Sequence, residues 1–130
     1  MSQSTGVMGD FTLGSANADL STKTFYGVYV HTDGTVKVAD ASNRPIGVLQ
    51  NKPKITEACA VRVEGTSKLV VDGATGGATA AIAIGAKLKA NASGQGINSS
   101  TDGDEVFAIA LQASTAVGDI IEAMLVNRQG

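Results

Sequence analysis

The residues able to do chemistry are few and badly placed to cooperate. His31 is the single histidine of the 130-residue chain. It follows an apolar-alternating run and precedes a turn, so it reads as a sheet histidine beside a hairpin rather than a general base. Ser and Thr are plentiful, but none sits in a Gly-x-Ser-x-Gly elbow, and one histidine leaves little from which to build a triad. Asp102-Gly-Asp-Glu105 groups three carboxylates, yet lacks the alternating oxygen ligands and distal Glu of a calcium loop, and reads as a solvated turn. Gly73-Ala-Thr-Gly-Gly77 has the glycines of a phosphate loop without the Lys-Ser/Thr that completes one. Cys59 is alone, so the chain has no intrachain disulfide and no multi-cysteine metal site, and Cys59 reads as a small buried apolar side chain. These residues point away from an enzyme and call for neither a cofactor nor a metal.

What remains is contact chemistry. Aromatics make up only 4% of the chain, and most of them lie toward its start: Phe11, Phe25, Tyr26 and Tyr29. With Thr12 and Leu13 these are the candidate interface residues, because aromatic side chains supply large contact area at low entropic cost. The formal net charge of −2 provides no basic excess for a phosphate backbone, so nucleic acid is not an expected partner. No run approaches the roughly 18 uninterrupted apolar residues of a membrane span. Met1-Ser-Gln-Ser-Thr-Gly6 has neither the basic start nor the apolar run of a secretion signal, which implies action in the cytoplasm or on something assembled there. The Asn91-Ala-Ser93 and Asn98-Ser-Ser100 sequons are discounted on the same ground.

The elements that must position these residues are strands. Sixteen Gly, two Pro and short β-branched runs parted by Gly, Asn, Asp and Ser describe an all-β protein, a small β-barrel-like or curled-sheet domain. Residues 1–24 carry little periodicity beyond Phe11-Thr-Leu13 and read as an extended N-terminal arm or edge strand. Residues 25–130 form a single domain. Phe25–His31 and Thr35–Ala39 make a hairpin. A three-residue Thr32-Asp33-Gly34 loop, with Gly34 left-handed, pairs Val30 with Val36 and Val28 with Val38. That register puts four valines on the core face and Tyr29, His31, Thr35 and Lys37 on the other. From Cys59 to Asp72 the alternation is unbroken, which suits one long strand bent at Gly65, although a hairpin there remains open. The Ala-rich stretch from Gly73 to Ile84 reads as a loop leading into a strand. Gly85–Ala90 and Ile97 flank a turn-rich Asn91–Gly96 in a second hairpin. Val106–Leu111 is apolar on both faces, as in a central strand, and Ile120–Val126 is the last strand. No fixed-period repeat is evident.

The order of Asp33-Gly-Thr-Val-Lys-Val-Ala39, Pro45-Ile-Gly-Val-Leu49, Val61-Arg-Val-Glu-Gly65, Gly85-Ala-Lys-Leu88, Phe107-Ala-Ile-Ala-Leu-Gln-Ala113 and Gly118-Asp-Ile-Ile121 resembles the head-decoration, or capsid cement, proteins of tailed bacteriophages. The resemblance covers roughly residues 25–126. It implies a compact β-barrel-like domain without enzymatic activity, made in the host cytoplasm and carried on the outer surface of the virion capsid. Its partners would be the major capsid protein and other copies of itself, often as a homotrimer at local threefold positions. Its task would be to clamp adjacent subunits against internal DNA pressure. The rival reading is a carbohydrate- or receptor-binding adhesion or fibre module, which the absence of Trp and shortage of Tyr disfavour.

Overall fold

The computed structural model describes residues 10–40, 42–73, 81–99 and 106–126. These residues form ten strands: β1 (Asp10–Ser15), β2 (Gly27–Val30), β3 (Val36–Val38), β4 (Gly47–Leu49), β5 (Ala58–Arg62), β6 (Gly65–Asp72), β7 (Lys87–Ala90), β8 (Gly96–Asn98), β9 (Ala108–Ala110) and β10 (Val117–Leu125). The all-β, barrel-like expectation holds. One sheet runs β1-β5-β4-β2-β3, and the other closes as a barrel in the order β10-β6-β8-β7-β9.

The two sheets repeat one plan, which the sequence does not reveal. Hairpin β2–β3 pairs Val28 with Val38 and Val30 with Val36, and hairpin β7–β8 pairs Leu88 with Asn98 and Ala90 with Gly96. Val28 then pairs with Gly47 of β4, as Leu88 pairs with Ala108 of β9. Leu49 pairs with Val61 of β5, as Ala110 pairs with Ala123 of β10. Thr12 of β1 lies against Ala60, as Lys68 of β6 lies against Glu122. Each ring is drawn together by one parallel pair, Ala16 with Val36 and Val71 with Gly96. The chain is therefore two five-stranded units of the same topology, residues 10–62 and 65–125. Strands this short close only as a small, strongly curved ring filled by side chains, and each unit has its own core. Ala16, Leu20, Val28, Val36, Leu49, Cys59 and Val61 fill the first. Leu69, Val71, Ile82, Leu88, Phe107, Ala108, Ala110, Ile121, Ala123 and Leu125 fill the second.

Several expectations are corrected by this plan. The long strand over 59–72 is two strands in different sheets, parted at Val63-Glu64, with Gly65 at φ 86° where the second unit begins. Parity survives the break because Cys59 and Val61 point into one core while Ser67, Leu69 and Val71 point into the other. The three-residue hairpin loop is correct, with Gly34 at φ 86° and the His31 N–H bonded to the Thr35 carbonyl at 2.8 Å. Of its four valines, Val28 and Val36 are fully buried and Val38 is partly so, but Val30 at the strand end is 40% exposed. The opposite face is not open sheet surface throughout, because Tyr29 packs against the second core. The described part of residues 1–24 joins the first unit through β1, Ala16 and Leu20. The second hairpin and the central β9 are as expected, while β10 begins earlier, at Val117. Ile82 makes only an isolated bridge to Ser114, and residues 74–80 lie outside the described residues.

The second unit sits on the outer face of the first. Val48 of β4 points away from its own core, since its neighbour Leu49 fills that one. Val48 and Ala39 pack into the second core, with Phe25 and Tyr29 partly buried beside them. The Gly27 N–H donates to the Gly94 carbonyl at 2.9 Å, and the Val70 N–H to the Phe25 carbonyl at 2.9 Å. Gln50 Nε2 donates to Ser67 Oγ at 2.9 Å, and Arg44 Nη2 donates to the Val106 carbonyl at 2.9 Å. A Cβ on Gly27 would come within 2.9 Å of Pro45 Cγ and 3.3 Å of the Gly94 oxygen, so glycine is what permits this approach. The junction is unsymmetrical: one unit offers the outside of β2 and β4, the other the mouth of its barrel.

Candidate functional site

The side chains that could do chemistry are already engaged in holding the fold. Ser114 is buried and donates to Asp119 Oδ2 at 2.7 Å, steadying the turn into β10. His31 stands edge-on to Tyr29, with ring centroids 6.2 Å apart. Cys59 lies within the first core, and burial pushes its thiol pKa up, which disfavours the reactive thiolate. Among the described residues no group of three or more His, Cys, Asp or Glu could hold a metal ion. Asp102–Glu105 lies outside the described residues.

A cleft of about 370 Å³ opens where the two units meet, lined by Phe25, Gln50, Arg62, Thr66, Ser67, Lys68 and Glu122. Its strongest charge is spoken for. Arg62 Nε and Nη2 grip both oxygens of Asp10 at 2.6 and 3.0 Å, and Nη1 donates to the Thr66 carbonyl at 3.1 Å. That grip holds the Asp10 carboxyl below its ordinary range and raises the Arg62 pKa. Lys68 Nζ lies 6.0 Å over the Phe25 ring. The cleft contains no histidine or cysteine, and its polar groups tie one unit to the other.

Part of the exposed surface is apolar. In β10, Ile121, Ala123 and Leu125 point into the core, yet of the alternate positions Ile120, Glu122 and Met124 the first and last are also apolar, 54% and 45% exposed. Met124 lies opposite Ile109 of β9, which lies opposite Lys87 of β7. Leu111, 37% exposed, follows β9 and bonds through its N–H to the Glu122 carbonyl. An antiparallel sheet whose outer face meets only water alternates apolar with polar residues, so exposed Leu111, Ile120 and Met124 beside a half-buried Ile109 make this face more apolar than that pattern, although Glu122 and Lys87 share it. In the first unit, pairing register puts Val48 at the position of Ile109, and Val48 is fully buried by the second unit.

Further apolar side chains are exposed at the equivalent end of the first unit. Phe11 is 52% and Ile46 46% exposed. Their register equivalents, Ser67 and Phe107, are both buried where the first unit caps the second. Of the residues singled out in the sequence, the structure thus brings Phe11 and Thr12 to an exposed strand and Phe25 and Tyr29 to the internal junction. Leu13 packs on the first core, and Tyr26 lies beneath Lys23 Nζ at 4.8 Å. The β9–β10 face escaped the sequence reading, although its signal was present: both parities of Ile120–Val126 are apolar apart from Glu122.

Fold and surface together define an all-β chain of two like five-stranded units, the second a closed barrel, with apolar side chains exposed on both. No family model matches this chain, and no curated protein matches it in sequence. Among solved structures it is similar to the N base of the head fiber gp8.5 of bacteriophage phi29, at 15% identity and a TM-score of 0.65 over 95% of this chain and 98% of that one. At that identity the likeness is one of fold.

Proposed function

We propose that the chain is a structural protein of a tailed-phage head, a decoration or cement protein without catalysis of its own. It binds the outer surface of the shell and bridges subunits of the major capsid protein, three copies to a site. The observation that carries this reading is the likeness, over nearly the full length of both chains, to the base of a head fiber. The residue order resembling capsid cement proteins points the same way, and a two-unit barrel with exposed apolar faces suits a protein whose work is contact. Many weak contacts repeated over a shell sum to tight attachment, so no single face need bind strongly. A carbohydrate-binding module would present an open aromatic platform, whereas Tyr26 and Tyr29 are partly buried.

Co-sedimentation of the purified chain with expanded and with unexpanded shells tests this reading. Saturable binding to the expanded shell is expected. No binding to either form would overturn it.

A further inference from the structure

The two units are joined head to tail, and that leaves both ends of the pair unmatched. The first unit's outer β2–β4 face is covered by the second unit. The register-equivalent face of the second unit, β7 and β9 with the adjoining β10, exposes Leu111, Ile120 and Met124 around a half-buried Ile109, with Lys87 and Glu122 on the same face. The second unit's mouth is covered by the first, burying Ser67 and Phe107. The equivalent mouth of the first unit exposes Phe11 and Ile46. In an array of like units the terminal faces are polar when the array ends there, because an apolar end invites another unit. Here both ends carry exposed apolar side chains, and by register they are the equivalents of the two halves of the junction already present inside the chain.

We propose that copies of this chain bind one another head to tail, the β9–β10 face of one copy seating on the Phe11–Ile46 mouth of the next. The contact continues the internal junction without duplicating it. Lys87 stands where Gly27 admits the Gly94 carbonyl, so the backbone hydrogen bond has no counterpart, and side chains carry the contact. Charge agrees with that pairing, since Lys87 is exposed on the face and Glu64 is exposed beside the mouth at the end of β5. A head-to-tail contact between identical chains closes into a ring or runs on as a filament, and either uses both surfaces of every copy. This inference rests on the self-association in the capsid reading and names the surfaces that carry it, and it is tested without a shell.

The test is sedimentation equilibrium of the purified full chain, with no shells present, as wild type, Phe11→Glu and Met124→Glu. Both side chains are exposed, so far-ultraviolet circular dichroism should report an unchanged fold. Wild type is expected to associate, and each variant to do so at least about tenfold more weakly. The two variants mixed in equal amounts should recover a one-to-one pair, because one keeps a working mouth and the other a working face. Ile46→Glu and Ile120→Glu repeat the design should either first variant fail to fold. A monomeric wild type, a Phe11→Glu chain that associates as tightly as wild type, or a mixture that stays monomeric would each overturn the proposal. Binding to shells would be untouched by those results.

Discussion

Phe25 occupies a backbone position that the second unit gives to glycine. Its φ is 71°, against 89° at Gly85. Both residues donate their N–H to equivalent strands, Phe25 to the Leu49 carbonyl of β4 and Gly85 to the Ala110 carbonyl of β9, each at 2.7 Å. A side chain in the left-handed region costs about 1–2 kcal/mol. It persists here because the ring packs against the second core. Phe25→Ala should therefore keep the strain and lose the packing, while Phe25→Gly loses only the packing. The glycine variant is expected to be more stable than the alanine one by about 1 kcal/mol in urea denaturation, the reverse of the usual order. An alanine variant at least as stable as the glycine one would contradict this reading. The carboxylates make a second prediction at this scale. Hydrogen bonds from Arg62 to Asp10, Ser21 to Asp19, Thr35 to Asp33, and Ser42 and Asn43 to Asp40 hold all four below the ordinary range. The unfolded chain thus takes up protons first as pH falls. The stability these groups contribute is complete above about pH 4 and is lost as pH drops through their folded values. Thermal midpoints should fall below that pH, and less steeply in an Asp10→Asn, Asp40→Asn double variant. At neutral pH, Asp10→Asn alone should cost no more than about 1 kcal/mol, since the pair it breaks is partly exposed.

Among the elements, the two hairpins form a natural comparison. Gly34 and Gly94 hold the same left-handed position, at φ 86° and 80°. A Cβ on Gly34 would meet nothing within 4 Å, whereas one on Gly94 would run into Val38 Cγ1 and the Gly27 and Ala39 carbonyls. Gly34→Ala should cost only backbone strain, about 1 kcal/mol, and Gly94→Ala about 1–3 kcal/mol more by prising the junction apart. Equal urea midpoints for the two variants would refute the junction as described. The first hairpin was legible in the sequence because turn chemistry at Asp33-Gly34 and valine parity agree on one register. The β5–β6 break was not, because parity reports which side of a strand is buried and is silent on which sheet buries it. Nor was the repeat. Its equivalents, Val28 with Leu88 and Gly47 with Ala108, are interchangeable small or apolar residues, and their spacing drifts between Ala16/Val71 and Val61/Ala123. The apolar outer face of β9 and β10 showed in the sequence only as a strand apolar on both sides, which interior burial explains equally well.

In the whole molecule, the second core includes Val48 and Ala39 from the first unit, so the second barrel is not complete without the first. The chain should unfold in one calorimetric transition with matching calorimetric and van't Hoff enthalpies, and two resolved transitions would show the units to be independent. A domain built this way presents strand faces with exposed apolar side chains, which is the physical content of the structural role proposed for it. Quantifying this chain by mass spectrometry against the major shell protein in gradient-purified particles, before and after mild stripping and re-addition, tests whether it binds the shell. A fixed, shell-wide ratio that re-addition restores is the predicted result. Absence from the shell, or only a few copies per particle, would contradict it.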